Sequence, residues 1–399
     1  MEQAELTALL TPQGLRMVDE VGPLASTTEV AAAVSRLRAG GHSPDLVSAV
    51  VGQAHLRVRA AGKFGPFADR MLFTRAGLEQ ATRLEVAARH AGRFRDAGAH
   101  RVADLGCGIG GDALGMAGLG LDVLAVDADE TTAALAAYNL APFGDAITVR
   151  HGRAEDTDLD GWDAVWLDPA RRTAGHSETA RTAPEDWSPS LDWAFALAER
   201  MPVGIKLGPG LDRSLIPDGV EAQWISVDGS TIELVLWSGS LRRDGVRRAA
   251  LVIRSGAAAE LTSAGDTEDE PVRALGAFVH EPEGAVIRAR LIGDVARSLD
   301  AGMLGGGTAY LTSDTPLTNP FVQSFRMRET LPLKPAAIST ALRKAGVGTV
   351  EIKKRGVDVD PAQFRKKLTL RGSASATLIL TRIGEGRDEK RVALLADRV

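Results

Sequence analysis

Cysteine, histidine and aromatic side chains are scarce in this chain of 399 residues, which contains one Cys, seven His and 5% aromatic residues. The single cysteine, Cys107, excludes an intrachain disulfide. The sequence also lacks a cysteine pair and a His-x-x-x-His spacing, which structural and catalytic zinc sites commonly use. We therefore predict no metal site.

Long apolar runs are missing as well, since no segment offers about 18 uncharged apolar residues in a row. The first residues, Met1–Glu5, lack the basic stretch and apolar core of a secretion signal. These absences predict a cytoplasmic protein without a membrane segment. The net charge of −5 argues against uniform coating by nucleic acid, although an average value permits a local basic surface.

The length predicts more than one domain, because single hydrophobic cores seldom extend beyond about 250–300 residues. Apolar residues recur at helical spacing up to about Arg95, strand-like runs alternate with helical stretches from Arg101 to Gly239, and strands and helices mix after Leu241. We therefore predict a helical domain over 1–95, an α/β domain over 96–240 and an α+β domain over 241–399. Within the last region, the residue pattern predicts an acidic loop over 258–271 and a helix over 287–299.

Seven short β-like runs define the central region, and strand-helix alternation predicts a parallel sheet with helices on both faces. The runs are Val102–Leu105, Asp122–Val126, Ile147–Arg150, Ala164–Leu167, Val203–Leu207, Gln223–Val227 and Ile232–Trp237. Only 228–231 separates the last two, which demands a hairpin and therefore one antiparallel strand.

A glycine-rich loop, 106–111, follows the first predicted strand. Glycine at Gly106 and Gly108 permits positive φ and a close approach of the backbone to a ligand. Asp127 ends the second strand, where a carboxylate can bind both ribose hydroxyls. Asp104 precedes the loop; its charge would repel the pyrophosphate of a nicotinamide cofactor but attract the ammonium group of a methionine moiety. The pattern predicts a site for S-adenosylmethionine rather than for a dinucleotide.

The fourth strand ends in Asp168-Pro169, at the sheet edge where open α/β proteins bind ligands. A carboxylate there can accept a hydrogen bond from an exocyclic amine and turn the nitrogen lone pair toward a methyl donor. We therefore predict Asp168 and Pro169 as catalytic residues, with Asp168 also near the cofactor. Arg171 and Arg172 are predicted to contact phosphate oxygens of the substrate.

Together these residues resemble the class I S-adenosylmethionine-dependent methyltransferases, within them the branch with an Asn/Asp/Ser-Pro-Pro-aromatic motif, which includes the trimethylguanosine synthases. The whole layout is most similar to bacterial methyltransferases with a THUMP-like C-terminal domain, which share the Asp-Pro-Ala-Arg-Arg-type motif and a tail such as Ile352–Gly356. The resemblance implies a Rossmann-like, seven-stranded methyltransferase sheet with one antiparallel strand.

The resemblance also implies cofactor contacts outside the sheet motifs. Phe73-Thr74 matches the family's upstream segment, and Asn139 matches the Asn that ends its second helix. The full set of predicted cofactor-binding residues is Phe73, Thr74, Asp104, Gly106, Cys107, Gly108, Asp127, Ala128, Ala154 and Asp168. In two places the chain departs from the family pattern, since Ala170 and Arg171 replace the aromatic residue that stacks a flipped base, and Arg153 stands where an acid commonly meets the adenine amine.

Basic residues concentrate near the C-terminus, with twelve Lys and Arg against four Asp and Glu over Arg326–Arg371. This excess predicts RNA binding, with Lys353, Lys354 and Arg355 as contact residues. The sequence as a whole favours N-methylation of a nucleobase in RNA. Methylation of a protein or small amine, and a non-catalytic RNA-binding protein that binds the cofactor, remain open as alternatives.

Overall fold

The computed structural model describes residues 3–171 and 187–399, except for the side chain of Arg171. The chain forms two compact units. The first contains the residues up to Leu207 and the segment Leu236–Arg242, and the second contains Gly208–Val235 and Arg243–Val399.

Six helices open the first unit, in agreement with the predicted helical start. They are α1 (Gln3–Leu9), α2 (Pro12–Val21), α3 (Thr27–Ala39), α4 (Pro44–Phe64), α5 (Arg75–Gln80) and α6 (Leu84–Asp96). Hydroxyl caps define several starts: Ser26 forms a reciprocal capping box with Glu29, and Ser43 accepts from the Leu46 N–H ahead of α4. Among the described helices, none combines the length and hydropathy needed to cross a bilayer.

The rest of the first unit is a parallel sheet with its crossover helices. Its elements are β1 (Arg101–Leu105), α7 (Gly111–Gly118), β2 (Asp122–Asp127), α8 (Glu130–Leu140), β3 (Ile147–His151), β4 (Ala164–Leu167), β5 (Ala170–Arg171), β6 (Trp187–Ser188), α9 (Leu191–Ala198) and β7 (Val203–Leu207). The strand order is β3-β2-β1-β4-β7, and these strands pair in parallel. The direction of winding reverses between β1 and β4, so the carboxyl ends of these strands flank a crevice of the kind that binds ligands in open α/β sheets.

The second unit begins with β8 (Glu221–Val227) and the first part of β9 (Ser230–Trp237), which are neighbours in the sheet order. The predicted hairpin is confirmed: Asp228 and Gly229 have φ values of 47° and 83°, the conformation that a two-residue turn between antiparallel strands requires. β10 (Arg248–Arg254) pairs in parallel with β8, and β11 (Ala257–Ser263) pairs antiparallel with β10.

A seven-stranded sheet with four helices forms the remainder of this unit. Its elements are β12 (Phe278–Pro282), α10 (Gly284–Arg288), α11 (Ile292–Ser298), β13 (Gly302–Met303), β14 (Leu311–Ser313), β15 (Val322–Pro332), α12 (Pro335–Lys344), β16 (Val347–Lys354), α13 (Pro361–Lys366), β17 (Ala374–Ile383) and β18 (Lys390–Arg398). The strand order is β13-β14-β12-β15-β18-β17-β16.

Two buried clusters cover opposite faces of this second sheet. Leu378 and Leu380 of β17 join one cluster, whereas Ile379 between them joins the other, as the alternation of side chains along a strand requires. The first cluster includes side chains from both α12 and α13, such as Ile338 and Phe364. We call the side that α12 and α13 cover the helix face, and the side that carries Tyr310 and Phe325 the opposite face.

Candidate functional site

The glycine loop after β1 has the backbone geometry that the sequence predicts. Gly106, Gly108 and Gly110 have φ values of 89°, 56° and 88°. A Cβ on Gly106 would lie 2.8 Å from the main-chain oxygen of Asp168, and one on Gly110 would lie 2.9 Å from Leu140. A Cβ on Gly108 would meet no atom within 4 Å. The loop therefore packs tightly against β4 and α8 through two glycines and leaves open space beside the third.

Asp127 lies at the end of β2 and is joined to this loop. Its Oδ2 accepts a hydrogen bond from the Gly108 N–H at 2.9 Å, and its Oδ1 accepts one from the Asp129 N–H, also at 2.9 Å. Burial raises the pKa of Asp127, and the two backbone hydrogen bonds oppose that rise. Each oxygen keeps a further lone pair, so the carboxylate can still bind two hydroxyl groups.

Ala128 and Ala154 follow the carboxyl ends of β2 and β3, at the rim of the same crevice. Ala128 is exposed, and its carbonyl oxygen lies 3.2 Å from His151 Nε2. Ala154 is buried at the start of a short 3-10 turn. The neighbouring Arg153 donates to Glu155 at 3.0 Å, so this acid is engaged by the arginine that departs from the family pattern.

Asp104 is a buried carboxylate that makes no hydrogen bond with any residue in the described parts of the chain. It lies in β1 with 1% of its surface exposed, and neither carboxyl oxygen has a partner there. Burial raises its pKa well above the ordinary value, and the charges of Asp112 and Asp168 add to the rise. A buried carboxylate without a partner is costly, so this position fits a ligand that brings a cation.

Asp168 follows β4 and pairs with a lysine that sequence reasoning missed. Lys206 Nζ of β7 lies 2.6 Å from Asp168 Oδ2, and it also donates to Thr82 Oγ1 at 2.9 Å. The lysine side chain is only 11% exposed. In the sequence, Lys206 stands out only as the single charged residue near the carboxyl end of an otherwise apolar strand. That strand, β7, pairs with β4, the strand that Asp168 follows.

Behind Lys206, a buried network holds the lysine in place. Asp112 of α7 accepts hydrogen bonds from Thr82 at 2.7 Å and lies 2.8 Å from His90 Nδ1, while its Oδ2 is 3.7 Å from Lys206 Nζ. Burial alone would raise the pKa of Asp112, but Lys206 and the hydrogen bonds from His90 and Thr82 lower it to about 2. The surroundings therefore shift the pKa values of these two buried acids in opposite directions, upward for Asp104 and downward for Asp112.

The predicted upstream segment, Phe73-Thr74, is tied to the glycine loop by Asn139. The Asn139 side chain accepts from the Leu72 N–H at 2.7 Å and donates to the carbonyl oxygens of Leu72 and Ile109, each at 3.0 Å. Thr74 Oγ1 caps α5 by accepting from the Gly77 N–H at 2.9 Å. The structure therefore brings this segment beside the loop.

Phe73 itself is fully buried, and its ring centroid lies 5.7 Å from that of Phe64 in α4. Its N–H and carbonyl groups are both engaged by the Gln53 side chain, at 2.8 and 2.7 Å. The ring of Phe73 thus packs against α4, and a cofactor contact by this residue remains a prediction.

We expect Asn139→Ala to destabilise the protein by about 2–3 kcal/mol, because three buried hydrogen bonds lose one partner and leave backbone groups unsatisfied. Urea unfolding measures the change, and Tyr138→Phe, the half-buried neighbour, serves as control. Equal unfolding midpoints for the two variants would show that Asn139 does not hold the segment to the loop.

The structure describes only some of the other residues that are predicted to contact the methyl acceptor. Pro169 is buried, and Ala170–Arg171 pairs antiparallel with Trp187–Ser188. The side chain of Arg171 and the whole of Arg172 lie outside the described residues. Trp187 is 3% exposed and therefore belongs to the core, so it does not replace the missing stacking aromatic.

In the second unit, the predicted RNA contacts Lys353, Lys354 and Arg355 do not form one surface. Lys353 Nζ lies 2.6 Å from Glu281 Oε2, and Arg355 lies 3.5 Å from Glu281 Oε1 with its guanidinium over the Tyr310 ring. Lys354 points to the other side of β16 and is exposed. The strand thus separates Lys354, which is exposed, from two cations that are paired with Glu281.

Comparison with known proteins identifies relatives over almost the whole chain. An uncharacterised S-adenosylmethionine-dependent methyltransferase of Mycobacterium tuberculosis is 32% identical over 361 residues, covering 88% of this chain and 96% of the relative. A crystal structure from Porphyromonas gingivalis W83, assigned as a methyltransferase, has a TM-score of 0.71 at 20% identity and covers 94% of this chain and all of that one. That likeness shows a shared fold.

Two family profiles match the ends of the chain. The profile described as THUMP domain-like matches residues 322–398, and one described as a domain of unknown function matches residues 2–60. The THUMP-like match covers β15 to β18 with α12 and α13. The chain therefore belongs to the S-adenosylmethionine-dependent methyltransferases and carries a THUMP-like domain at its C-terminus.

Proposed function

We propose that this methyltransferase transfers the methyl group to a nitrogen of a nucleobase in RNA. The observation that supports the proposal is the position of Asp168: it ends β4, its main-chain oxygen packs on Gly106 of the glycine loop, and its carboxylate pairs with Lys206. An anionic acceptor of hydrogen bonds thus lies beside the loop that we assign to the methyl donor.

The residues of the crevice fit S-adenosylmethionine. The Asp104 carboxylate, which has no partner in the described parts of the chain, suits the ammonium group of the methionine part. The two-point attachment of Asp127 suits two ribose hydroxyls. The open space beside Gly108 permits close approach of the ligand to the backbone. When bound, this cofactor supplies an electrophilic methyl group on a sulfonium ion.

On the acceptor side, Asp168 would accept a hydrogen bond from the amine N–H and thereby orient the nitrogen lone pair. Lys206 holds one carboxylate oxygen at 2.6 Å, so a positive charge lies beside the Asp168 carboxylate. The carboxylate can also take up the proton that the methylated nitrogen loses. Asp112, Thr82 and His90 position Lys206 and do not themselves reach the substrate in this assignment.

RNA as the substrate class is supported by the charge of the C-terminal region and by the THUMP-like match. Methylation of a protein side chain or a small amine is the second candidate, and one observation favours it: Ala170 and Arg171 replace the aromatic residue that stacks a flipped base. A cofactor-binding RNA protein without activity is the third, and it predicts cofactor binding without transfer.

Transfer of labelled methyl groups separates these functions. The protein is incubated with labelled S-adenosylmethionine and, in parallel, with total RNA, total protein and the small-molecule fraction of a strain that lacks the gene. We expect label in RNA, and mass spectrometry of the digested nucleosides should show one N-methylated nucleoside restored. Label in the protein or small-molecule fraction alone would support the second candidate, and cofactor binding with no label in any fraction would support the third.

A further inference from the structure

The THUMP-like domain carries cations on both faces of its sheet, and the two faces differ in how far acidic side chains pair with those cations. We infer that the helix face docks the phosphate backbone of structured RNA, and that the opposite face does not. The inference rests on the proposed function only for RNA being the partner. The choice of face comes from the side-chain contacts of residues 334–367.

On the helix face, cations outnumber acids and are largely unpaired. Seven cations of this stretch belong to the helix face, against the two acids Asp358 and Asp360; they are Lys334, Arg343, Lys344, Lys354, Arg365, Lys366 and Lys367. All seven are exposed. Within the described parts of the chain, the five lysines make no side-chain hydrogen bond or ion pair.

A common core brings these cations to one side. Ile338 and Leu342 of α12, Phe364 of α13 and Val350 of β16 belong to the same buried cluster. Lys354 lies four residues after Val350, so its side chain leaves β16 on that side as well. The C-terminal ends of both helices, with Arg343-Lys344 and Arg365–Lys367, add further basic side chains to the same side of the sheet.

On the opposite face, acids already neutralise the cations. Lys353 and Arg355 both pair with Glu281, and Arg398 pairs with Glu351 at 2.8 Å. Lys353 also lies 5.6 Å from the centre of the Phe325 ring, which together with Glu281 leaves it only 20% exposed. Docking a phosphate here would break these pairs and bring two carboxylates close to the ligand.

The absence of exposed aromatic residues determines what the helix face can recognise. The family match over 322–398 contains two aromatic residues, Phe325 and Phe364, and both are buried. Unpaired bases are held mainly by stacking on aromatic rings, so this surface lacks the means to read them. Exposed lysines bind phosphates as point charges, and the contact should depend on salt and not on base sequence.

Two matched triple variants test the choice of face in the full-length protein. Lys354→Gln, Lys366→Gln and Lys367→Gln remove three helix-face charges, and Lys353→Gln, Arg355→Gln and Arg398→Gln remove three from the opposite face. Affinity for a short fluorescent RNA duplex is measured over a salt series, with a scrambled duplex of equal length and a DNA duplex as further probes. Thermal unfolding shows whether each variant is folded. If either triple variant is not, two single variants at exposed residues, Lys354→Gln and Arg398→Gln, replace the triples.

We expect the helix-face triple to bind the RNA duplex about 10- to 100-fold more weakly, with the slope of log affinity against log salt reduced by about two to three. The opposite-face triple should stay within about twofold of wild type, and the scrambled duplex should bind equally. Equal losses in both triples, no loss in the helix-face triple, or a strong preference for one sequence would each overturn the inference. Tighter binding of DNA than RNA would overturn RNA as the partner. A wild-type protein that binds no RNA would contradict the proposed function itself, whereas RNA binding that survives the helix-face changes would leave it intact.

Discussion

Replacing Asp168 by Asn should lower the rate of methyl transfer by about 100-fold or more while S-adenosylmethionine binds within a few-fold of wild type. The amide keeps the size of the side chain but loses the charge that orients the amine and takes up its proton, effects that together contribute factors of this order. The measurement is single-turnover transfer of labelled methyl to RNA, with cofactor affinity from calorimetry. Asp160→Asn, an exposed acid without a side-chain partner in the described chain, is the control.

Lys206→Met tests the same assignment from the other side of the ion pair. Loss of the cation 2.6 Å from Asp168 removes the interaction that favours the carboxylate, so the pKa of Asp168 should rise. The acidic limb of the pH-rate profile should then move to higher pH, and Lys206→Arg should restore part of the activity at neutral pH. Unchanged transfer by the Asp168 variant, or an unshifted profile for Lys206→Met, would contradict the proposed role of the pair.

Asp104→Asn should weaken binding of S-adenosylmethionine by about 100-fold, because truncating one partner of a buried charge pair costs several kcal/mol. The cofactor-free protein should be at least as stable as wild type, since the variant removes a carboxylate that has no partner among the described residues. Calorimetry and thermal unfolding measure the two effects. A lower melting temperature with unchanged cofactor affinity would make Asp104 a structural residue.

The raised pKa of Asp104 also predicts a pH dependence. Burial, with the nearby carboxylates of Asp112, Asp168 and Asp127, raises its pKa in the folded cofactor-free protein, and Lys206 opposes the rise. Above its usual value of 3.8 the unfolded chain loses this proton first, so the contribution of Asp104 to stability falls as pH rises toward the folded pKa.

Binding of a cation beside Asp104 favours the carboxylate, so cofactor binding should release a proton and strengthen with pH across that window. Calorimetry in buffers of different ionisation enthalpy counts the released proton. Wild type should release one more than Asp104→Asn. Equal proton release by the two proteins would show that Asp104 is already ionised before the cofactor binds.

Local sequence patterns predicted the strands of the central region correctly, because strands and helices alternate regularly there. Each of the seven predicted runs is a strand, and the Asp228-Gly229 turn forms the predicted hairpin. The single helix predicted over 287–299 is wrong: it is broken into α10 and α11 around Arg290, which has a φ of 60°. Apolar periodicity continues through this break, so it carried no signal of the turn.

The segment 258–271 shows the opposite error. Its acidic and small residues predicted a loop, yet β11 occupies Ala257–Ser263 and pairs antiparallel with β10. Glu260 is held there by Arg243 and Gln223, which are distant in sequence. An edge strand tolerates alternating exposed polar residues when its partner supplies the hydrogen bonds, and no local pattern reports that partner.

The sequence by itself determined which candidate site residues follow which strand: a glycine loop follows β1, an acid ends β2 and an Asp-Pro pair follows β4. Each of these positions depends only on where a strand ends, which local sequence patterns predict. Only the tertiary structure decided what surrounds them. Lys206 reaches Asp168 from a strand almost forty residues away, because parallel pairing sets which side chains share the crevice. The Asp104 carboxylate is buried there with no hydrogen-bonding partner among the described residues. The same holds for Lys353 and Lys354, which are adjacent in the chain but lie on opposite faces of β16, one paired with Glu281 and the other exposed.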